Sequence, residues 1–446
     1  MKNLLFYFKI KIIKILIPYL VKYNALHLIS LLFILSLSKI KSILPKKKIN
    51  LRVVVLSKSG GMNDIIESQK RFNENYLFLA CPRIFFITIF RTIFDQQEYN
   101  NAEKFFSKKR KVKREEYKRF LVKFLEILNT KYKINAFIGF NFEFKQEIEL
   151  AFACKKLKIP FLLLSKESVL TGVEESYLRY AIKKLNQKFY GHKIAVYSNY
   201  AKKIFTETNF ANKKDVEVVG CSRLSESFSF KKKVPKKQIL YYAIEHNRGL
   251  PDPLIVNYGN KFFKNLKDHK KFDPDYNWNL LHIKTLNVLK KFAINNPEIS
   301  IIIKIKTGQS RNTGEYLNLP SNIKLKYFGP GHQLLEESKV VISWNSTATL
   351  EGIAANRFIL IPYFYNKNHS LKKKNELILK LKEENYGYSE SDFYKKLGFF
   401  MKKKYKKNEI YNNLYSLKYH LGNDDNKASI RLNKFLNKNI SFKNIR

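Results

Sequence analysis

The chain reads as an α/β protein with two doubly wound parallel-sheet domains, preceded by an apolar, basic helical segment. Three observations predict this. Its 446 residues exceed one ordinary hydrophobic core and suit two domains. Apolar residues make up 45% of the chain, enough to fill both cores and too many for a disordered one. Continuous β-branched runs alternate with helical stretches, the pattern of strands buried on both faces of a parallel sheet.

The first fifty residues allow two readings. Leu4–Val21 mixes apolar residues with Lys9, Lys11 and Lys14, and Ala25–Ser38 is nearly uncharged. The second run has about fourteen residues, short of the roughly twenty that span a bilayer. No small-residue cleavage site follows it, so it does not read as a secretory signal. Lys39, Lys41, Lys46, Lys47 and Lys48 come directly after, which suits a segment held on an anionic membrane surface. The alternative is a pair of helices packed on the first domain. A cytoplasmic protein, peripheral on the inner face of the membrane, is the expectation.

Strand signals begin at Arg52–Ser57, R-V-V-V-L-S, which ends in Ser59-Gly60-Gly61; a helix is then expected over Asn63–Phe72. Tyr76–Ala80, Ala136–Phe140, Pro160–Leu164, Lys193–Tyr197 and Val216–Val219 read as further strands. Helices are expected over Lys109–Lys131, Glu147–Leu157 and Asn199–Thr208. The polar run Lys231–Lys237 reads as a linker, after which the pattern restarts. Ile239–Ile244, Ser300–Ile305, Ile323–Tyr327, Val340–Ser343 and Phe358–Tyr363 are strand-like, and Trp278–Asn295, Leu334–Ser338 and Leu350–Ala355 helical. Ala428–Leu436 closes the chain as a helix. The expected units are residues 1–50, 51–235, 236–425 and 426–446.

A formal net charge of +47 raises the question of nucleic acid. Lysine is spread along the whole chain instead of clustering on one element with stacking aromatics, so a nucleic-acid partner is not expected. Cys81, Cys154 and Cys221 stand far apart without metal-ligand spacing and read as small buried hydrophobes in a reducing compartment. There is no Walker motif and no G-x-G-x-x-G after the first strand, so a dinucleotide cofactor is not indicated; the expectation is no cofactor and no metal.

The stretch with most chemistry is Leu334–Pro362, where a strand runs straight into a helix through Asn345, Ser346, Thr347 and Thr349. A helix start offers unpaired N–H groups and the positive end of the macrodipole, so it receives phosphate readily. These residue types also make ordinary helix caps. Glu351 belongs to no capping box, because Ala348 stands where Ser or Thr would be needed. Its carboxylate one turn into the helix is therefore open to sugar hydroxyls.

Strand, small polar cluster, helix with a Glu, and then Phe358–Pro362 resemble the donor half of GT-B glycosyltransferases. More narrowly, the chain is similar to bacterial capsule and surface-polysaccharide biosynthesis proteins. Ile138–Leu164, Val216–Leu224 (V-E-V-V-G-C-S-R-L) and Ile301–Lys306 agree in order. The resemblance spans roughly residues 50–435 as architecture. It implies two Rossmann-like domains facing a cleft, and a sugar moved from a nucleotide-sugar donor to a glycan or lipid-linked acceptor. It further implies that Ser346 and Thr347, beside Asn345, meet the donor diphosphate and that Glu351 meets the ribose.

Lys304 and Lys306, at the end of a buried strand, are candidates to neutralise the leaving phosphate. The turn Gly329–His332 is expected near the nucleotide base, with His332 as its side chain. For the acceptor side, Gly60 and Gly61 in the first strand-to-helix loop allow close approach, and Asp64 there is a candidate base or a helix cap. Glu167 and His246 are further acid–base candidates, and Arg248 a phosphate clamp. Three other functions compete with this one, the last of them leaving the Asn345–Glu351 junction unexplained. They are a sugar-nucleotide 2-epimerase, a CDP-linked polyol-phosphate transferase, and a non-enzymatic nucleic-acid or membrane-surface binding protein.

Overall fold

The computed structural model describes residues 2–440, except 47–50, 58, 74, 96–97, 99–101, 143, 167–174, 176–177, 181, 184, 232, 245–277, 306–312, 330, 345, 365–380, 406–413 and 423–424. The chain opens with α1 (Lys2–Lys22) and α2 (Leu26–Ser36). It then builds a seven-stranded sheet from β1 (Ser38–Lys39), β2 (Leu51–Leu56), β3 (Tyr76–Cys81), β4 (Ile134–Gly139), β5 (Phe161–Ser165), β6 (Lys193–Val196) and β7 (Val216–Val218). The order is β1-β3-β2-β4-β5-β6-β7, all parallel except the β1 edge.

Alternation along β2 shows why its run is apolar throughout. Val54 and Leu56 enter the core on one face, with α4 (Ile84–Ile93) and α5 (Lys111–Tyr132). Val53 and Val55 enter the core on the other. A strand covered on both sides has no polar face to show. Connecting helices α3 (Ser59–Phe72), α6 (Lys145–Lys156) and α7 (Asn199–Glu207) complete the first half.

The second sheet has β8 (Gln238–Tyr242), β9 (Ser300–Lys304), β10 (Ile323–Lys326), β11 (Val340–Ile342), β12 (Phe358–Pro362) and β13 (Tyr386–Gly387). Its order is β10-β9-β8-β11-β12-β13, parallel throughout. The expected isoleucine strand is its second member, with Ile301 and Ile303 fully buried. Helices α8 (Leu224–Phe230), α9 (Trp278–Asn295), α10 (Thr347–Ala354), α11 (Glu390–Lys402) and α12 (Leu414–Leu421) follow in chain order. Both halves are thus Rossmann-like parallel sheets with helices on their faces.

Helix α13 (Ala428–Asn439) returns to the first half. Its Leu432, Phe435 and Leu436 pack into the core with Val53 and Val55. Polar ties fix its register: Ser68 Oγ donates to the Ser429 carbonyl at 3.1 Å, and Tyr76 Oη to Asn437 Oδ1 at 2.8 Å. The chain therefore crosses between the halves twice. Arg357, fully buried, holds the first crossing to the second half. It donates to the carbonyls of Phe230, Lys233, Leu335 and Glu336 and to the Tyr405 hydroxyl. A buried guanidinium is tolerable when this many oxygens receive it.

Two sequence expectations need correction. Helix α3 starts at Ser59, so Gly60 and Gly61 form its first turn instead of the expected strand-to-helix loop. Gly61 is there for close packing: a Cβ would stand 2.1 Å from the Phe140 ring. The helix expected over Leu334–Ser338 is a 3-10 turn, Gly331–Leu335. The three cysteines are buried as expected, and the Cys221 thiol reaches Asp64.

Candidate functional site

In the second sheet the chain runs outward from β8 through β9 to β10, then returns to lay β11 on the other side of β8. At such a reversal the loops leaving the strand ends diverge and open a crevice, the usual ligand position in a parallel sheet. In this sheet that position is beyond the carboxyl ends of β8 and β11, where α10 begins.

Ser346 is the N-cap of α10, with extended backbone; its side chain accepts the Ala348 N–H at 3.1 Å and its carbonyl the Thr349 N–H at 3.0 Å. Ser343 at the end of β11 and Thr349 in α10 share a hydroxyl–hydroxyl hydrogen bond, which clamps helix to strand. Gly352 lets the helix lie close to the sheet, since a Cβ there would stand 2.8 Å from Ile359. So the sequence cluster serves as cap and clamp, and Thr347 opens the helix at the mouth of the crevice. The helix start keeps the positive end of its dipole toward that mouth.

Glu351, buried, is met by Arg223 from the segment that follows β7. Arg223 follows β7 and stands just before α8. Its Nε donates to Glu351 Oε1 at 3.0 Å, and its Nη1 donates to Asp64 Oδ2 at 3.1 Å and to the Tyr197 hydroxyl at 3.0 Å. Its backbone N–H donates to Asp64 Oδ1 at 3.1 Å. Asp64 Oδ2 also accepts the Tyr197 hydroxyl, and Oδ1 the Cys221 thiol at 3.7 Å. One guanidinium thus joins a carboxylate from α3 in the first half to a carboxylate from α10 in the second.

Burial alone would weaken the Arg223 cation; Cys221, Tyr197, Asp64 and Glu351 around it outweigh that, and its pKa stands well above the ordinary value. Burial pushes the Tyr197 phenol well up; Arg223 opposes this and Asp64 reinforces it. Tyr242 at the end of β8 is raised by burial first and by the Glu351 charge second. Its hydroxyl donates to the Gly331 carbonyl at 2.9 Å.

The structure brings Asp64, Ser346, Thr347 and Glu351 to one region. Asp64 is not a helix cap, because it lies in the second turn of α3. His332 turns toward α8, where its Nε2 is 2.8 Å from Glu226 Oε2. Lys304 is buried with its ammonium donating to the carbonyls of Ile305 and Tyr327, both at 3.1 Å, and burial lowers its pKa. Its charge closes the ends of β9 and β10. Glu167, His246, Arg248, Lys306 and Asn345 lie outside the described residues. Sequence reading passed over Arg223 and Tyr197. The one available signal was an arginine inside the otherwise apolar and small-residue run V-V-G-C-S-R-L.

No family model matches the chain. No curated protein matches it either. Among solved structures it is similar to UDP-GlcNAc 2-epimerase from Methanocaldococcus jannaschii (11% identity, 88% of this chain and 99% of that one, TM-score 0.46). It is also similar to UDP-GlcNAc 2-epimerase from Neisseria meningitidis bound to UDP-GlcNAc (12%, 88% and 100%, 0.46). A third likeness is to Anabaena HepE in complex with UDP and glucose (11%, 87% and 100%, 0.44). Likenesses this distant bear on neither ligand nor reaction.

Proposed function

We propose that the chain is a transferase that moves a sugar from a nucleotide-activated donor to a surface polysaccharide or lipid-linked glycan acceptor. The observation that carries this reading is the coincidence of the β8/β11 reversal with the Ser346–Glu351 helix start. In it the donor diphosphate lies at the start of α10, against Ser346 and Thr347, and the ribose hydroxyls meet Glu351. Arg223 brings a fixed cation beside that carboxylate, which suits phosphate neutralisation without a metal.

The role of Asp64 shifts in this reading. A carboxylate that accepts from the Arg223 amide and guanidinium, the Tyr197 hydroxyl and the Cys221 thiol has its lone pairs filled. Asp64 then orients Arg223, and the acceptor's base is to be sought elsewhere. Glu167 and His246 keep that place in the proposal. A second reading, a sugar-nucleotide 2-epimerase, uses the same nucleotide cradle with Glu351.

Thermal shift against UDP, CMP, CDP and GDP tests the cradle, with Glu351→Ala and Ser346→Ala beside the wild type. Stabilisation by one nucleotide, lost in Glu351→Ala, is the expected result. If none stabilises the wild type the donor site is wrong; equal binding by both variants sinks the residue assignment. Incubating a sugar nucleotide with no acceptor then separates the two reactions, since an epimerase alone interconverts the donor.

A further inference from the structure

Of the two sequence readings of the first segment, packing on the first domain describes the inner faces of α1 and α2. Ile13 and Ile17 of α1, with Ile29 and Phe33 of α2, are buried in the core that α4 and α5 share. The opposite faces are open and apolar. Phe8, Ile15 and Tyr19 recur at helical period along α1, as do Leu28, Leu31 and Leu35 along α2, and all six are exposed. Nine of the twenty large exposed apolar side chains of the described residues fall between Phe8 and Leu44. Scattered apolar residues on a surface need no partner; such a concentration does.

Charge decides which partner. Lys11, Lys14 and Lys22 are exposed on α1, and Lys39 and Lys41 follow α2. Asp and Glu do not occur in residues 1–50. An apolar stripe with only basic companions repels another basic surface, and a second copy of this +47 chain is one. An open groove of about 430 Å³ between α1 and α4, lined by Pro18, Tyr19, Val21, Lys22, Thr92 and Ile93, adds apolar depth beside a lysine. No helix of the described residues is long and apolar enough to cross a membrane.

We infer that the outer face of the α1–α2 pair is a docking surface for an anionic phospholipid bilayer. The six apolar side chains enter the interface, the lysines sit at the phosphate level, and the inner faces stay packed on the first sheet's helices. This docking stands independently of the nucleotide site.

Flotation of the full chain with phosphatidylcholine vesicles, alone or enriched in phosphatidylglycerol, tests it. The wild type floats with the anionic vesicles only. Ile15→Glu, Tyr19→Glu and Leu31→Glu combined reduce partitioning by more than about ten-fold, whereas Lys324→Glu with Lys326→Glu on the exposed β10 edge leaves most of it. The substituted positions are exposed, so the melting transition stays in place. As a second measurement, the emission of a Tyr19→Trp variant moves to the blue on anionic vesicles. Binding by the triple variant equal to wild type means charge alone is acting and overturns the proposal. So does a wild-type dimer that the same three substitutions dissociate.

Discussion

The two halves share an architecture and finish the start of their key helices differently. In the first half α3 begins with Ser59-Gly60-Gly61, glycine lets Phe140 close over the helix, and the second turn carries the buried acid Asp64. In the second half α10 begins with hydroxyl residues that cap and clamp it, glycine comes in the second turn, and the acid Glu351 precedes it. One helix start is filled by an aromatic ring, the other is left with small donors at a crevice mouth. In the proposed reading the donor's anion takes the second. What unites the halves is Arg223, which needs both acids to be tolerable where it lies.

Removing that tie should have the largest effect. Arg223→Met leaves two buried carboxylates facing one another without a cation, and a loss of about 3–5 kcal/mol in urea unfolding is expected. Adding Asp64→Asn to it should recover part of the loss; no recovery would show that the two acids are not coupled through Arg223. Arg223→Lys should not restore stability, because a point charge cannot serve Nε and Nη1 directions together.

Tyr197→Phe comes next, at about 1.5–3 kcal/mol for a buried hydrogen bond to a charged partner. It carries a pH signature. Burial, with Asp64 adding and Arg223 opposing, holds this phenol above its ordinary value, so the folded chain keeps a proton that the unfolded chain releases. The associated stability is complete below about pH 10 and is lost as pH rises through the higher folded value. Urea midpoints across the alkaline range should fall less steeply in the variant; identical slopes would remove Tyr197 from the cluster.

The helix starts themselves can be set against each other. Gly61→Ala should cost about 1–3 kcal/mol through overpacking against Phe140, relieved when Phe140→Leu is added. Ser346→Ala should cost only about 1 kcal/mol as a lost cap. Its effect on nucleotide stabilisation should be the larger one, whereas Gly61→Ala should leave nucleotide binding intact once the fold is rescued. The reverse ranking would move the ligand to the first half.

Much of this was legible because it is local. The β2 run is apolar in every position because both its faces are covered, and the β11–α10 junction carries its own capping chemistry in adjacent residues. The first segment was legible as an ambiguity: the sequence has apolar residues on too many sides of α1 for one core, and the packing shows which side is left over. The pairing of Lys304 with two carbonyls was not readable, since strand-end lysines in so basic a chain all look solvated. His332 was equally opaque, its partner Glu226 lying 106 residues away on α8.

By itself the sequence determined the two parallel sheets, the helix that starts at Ser346, the absence of a capping box for Glu351 and the basic, apolar character of the first helices. These follow from periodicity and from contacts within a turn or two. Only the tertiary structure decided that Asp64 and Glu351 share one guanidinium, because Arg223 stands 159 and 128 residues away from them. It likewise decided that the last helix seals the first sheet, 361 residues from its partner. The physical reason is the same in both cases. A buried charge or an apolar face states a need for a partner, and chain geometry alone selects which distant residue meets it.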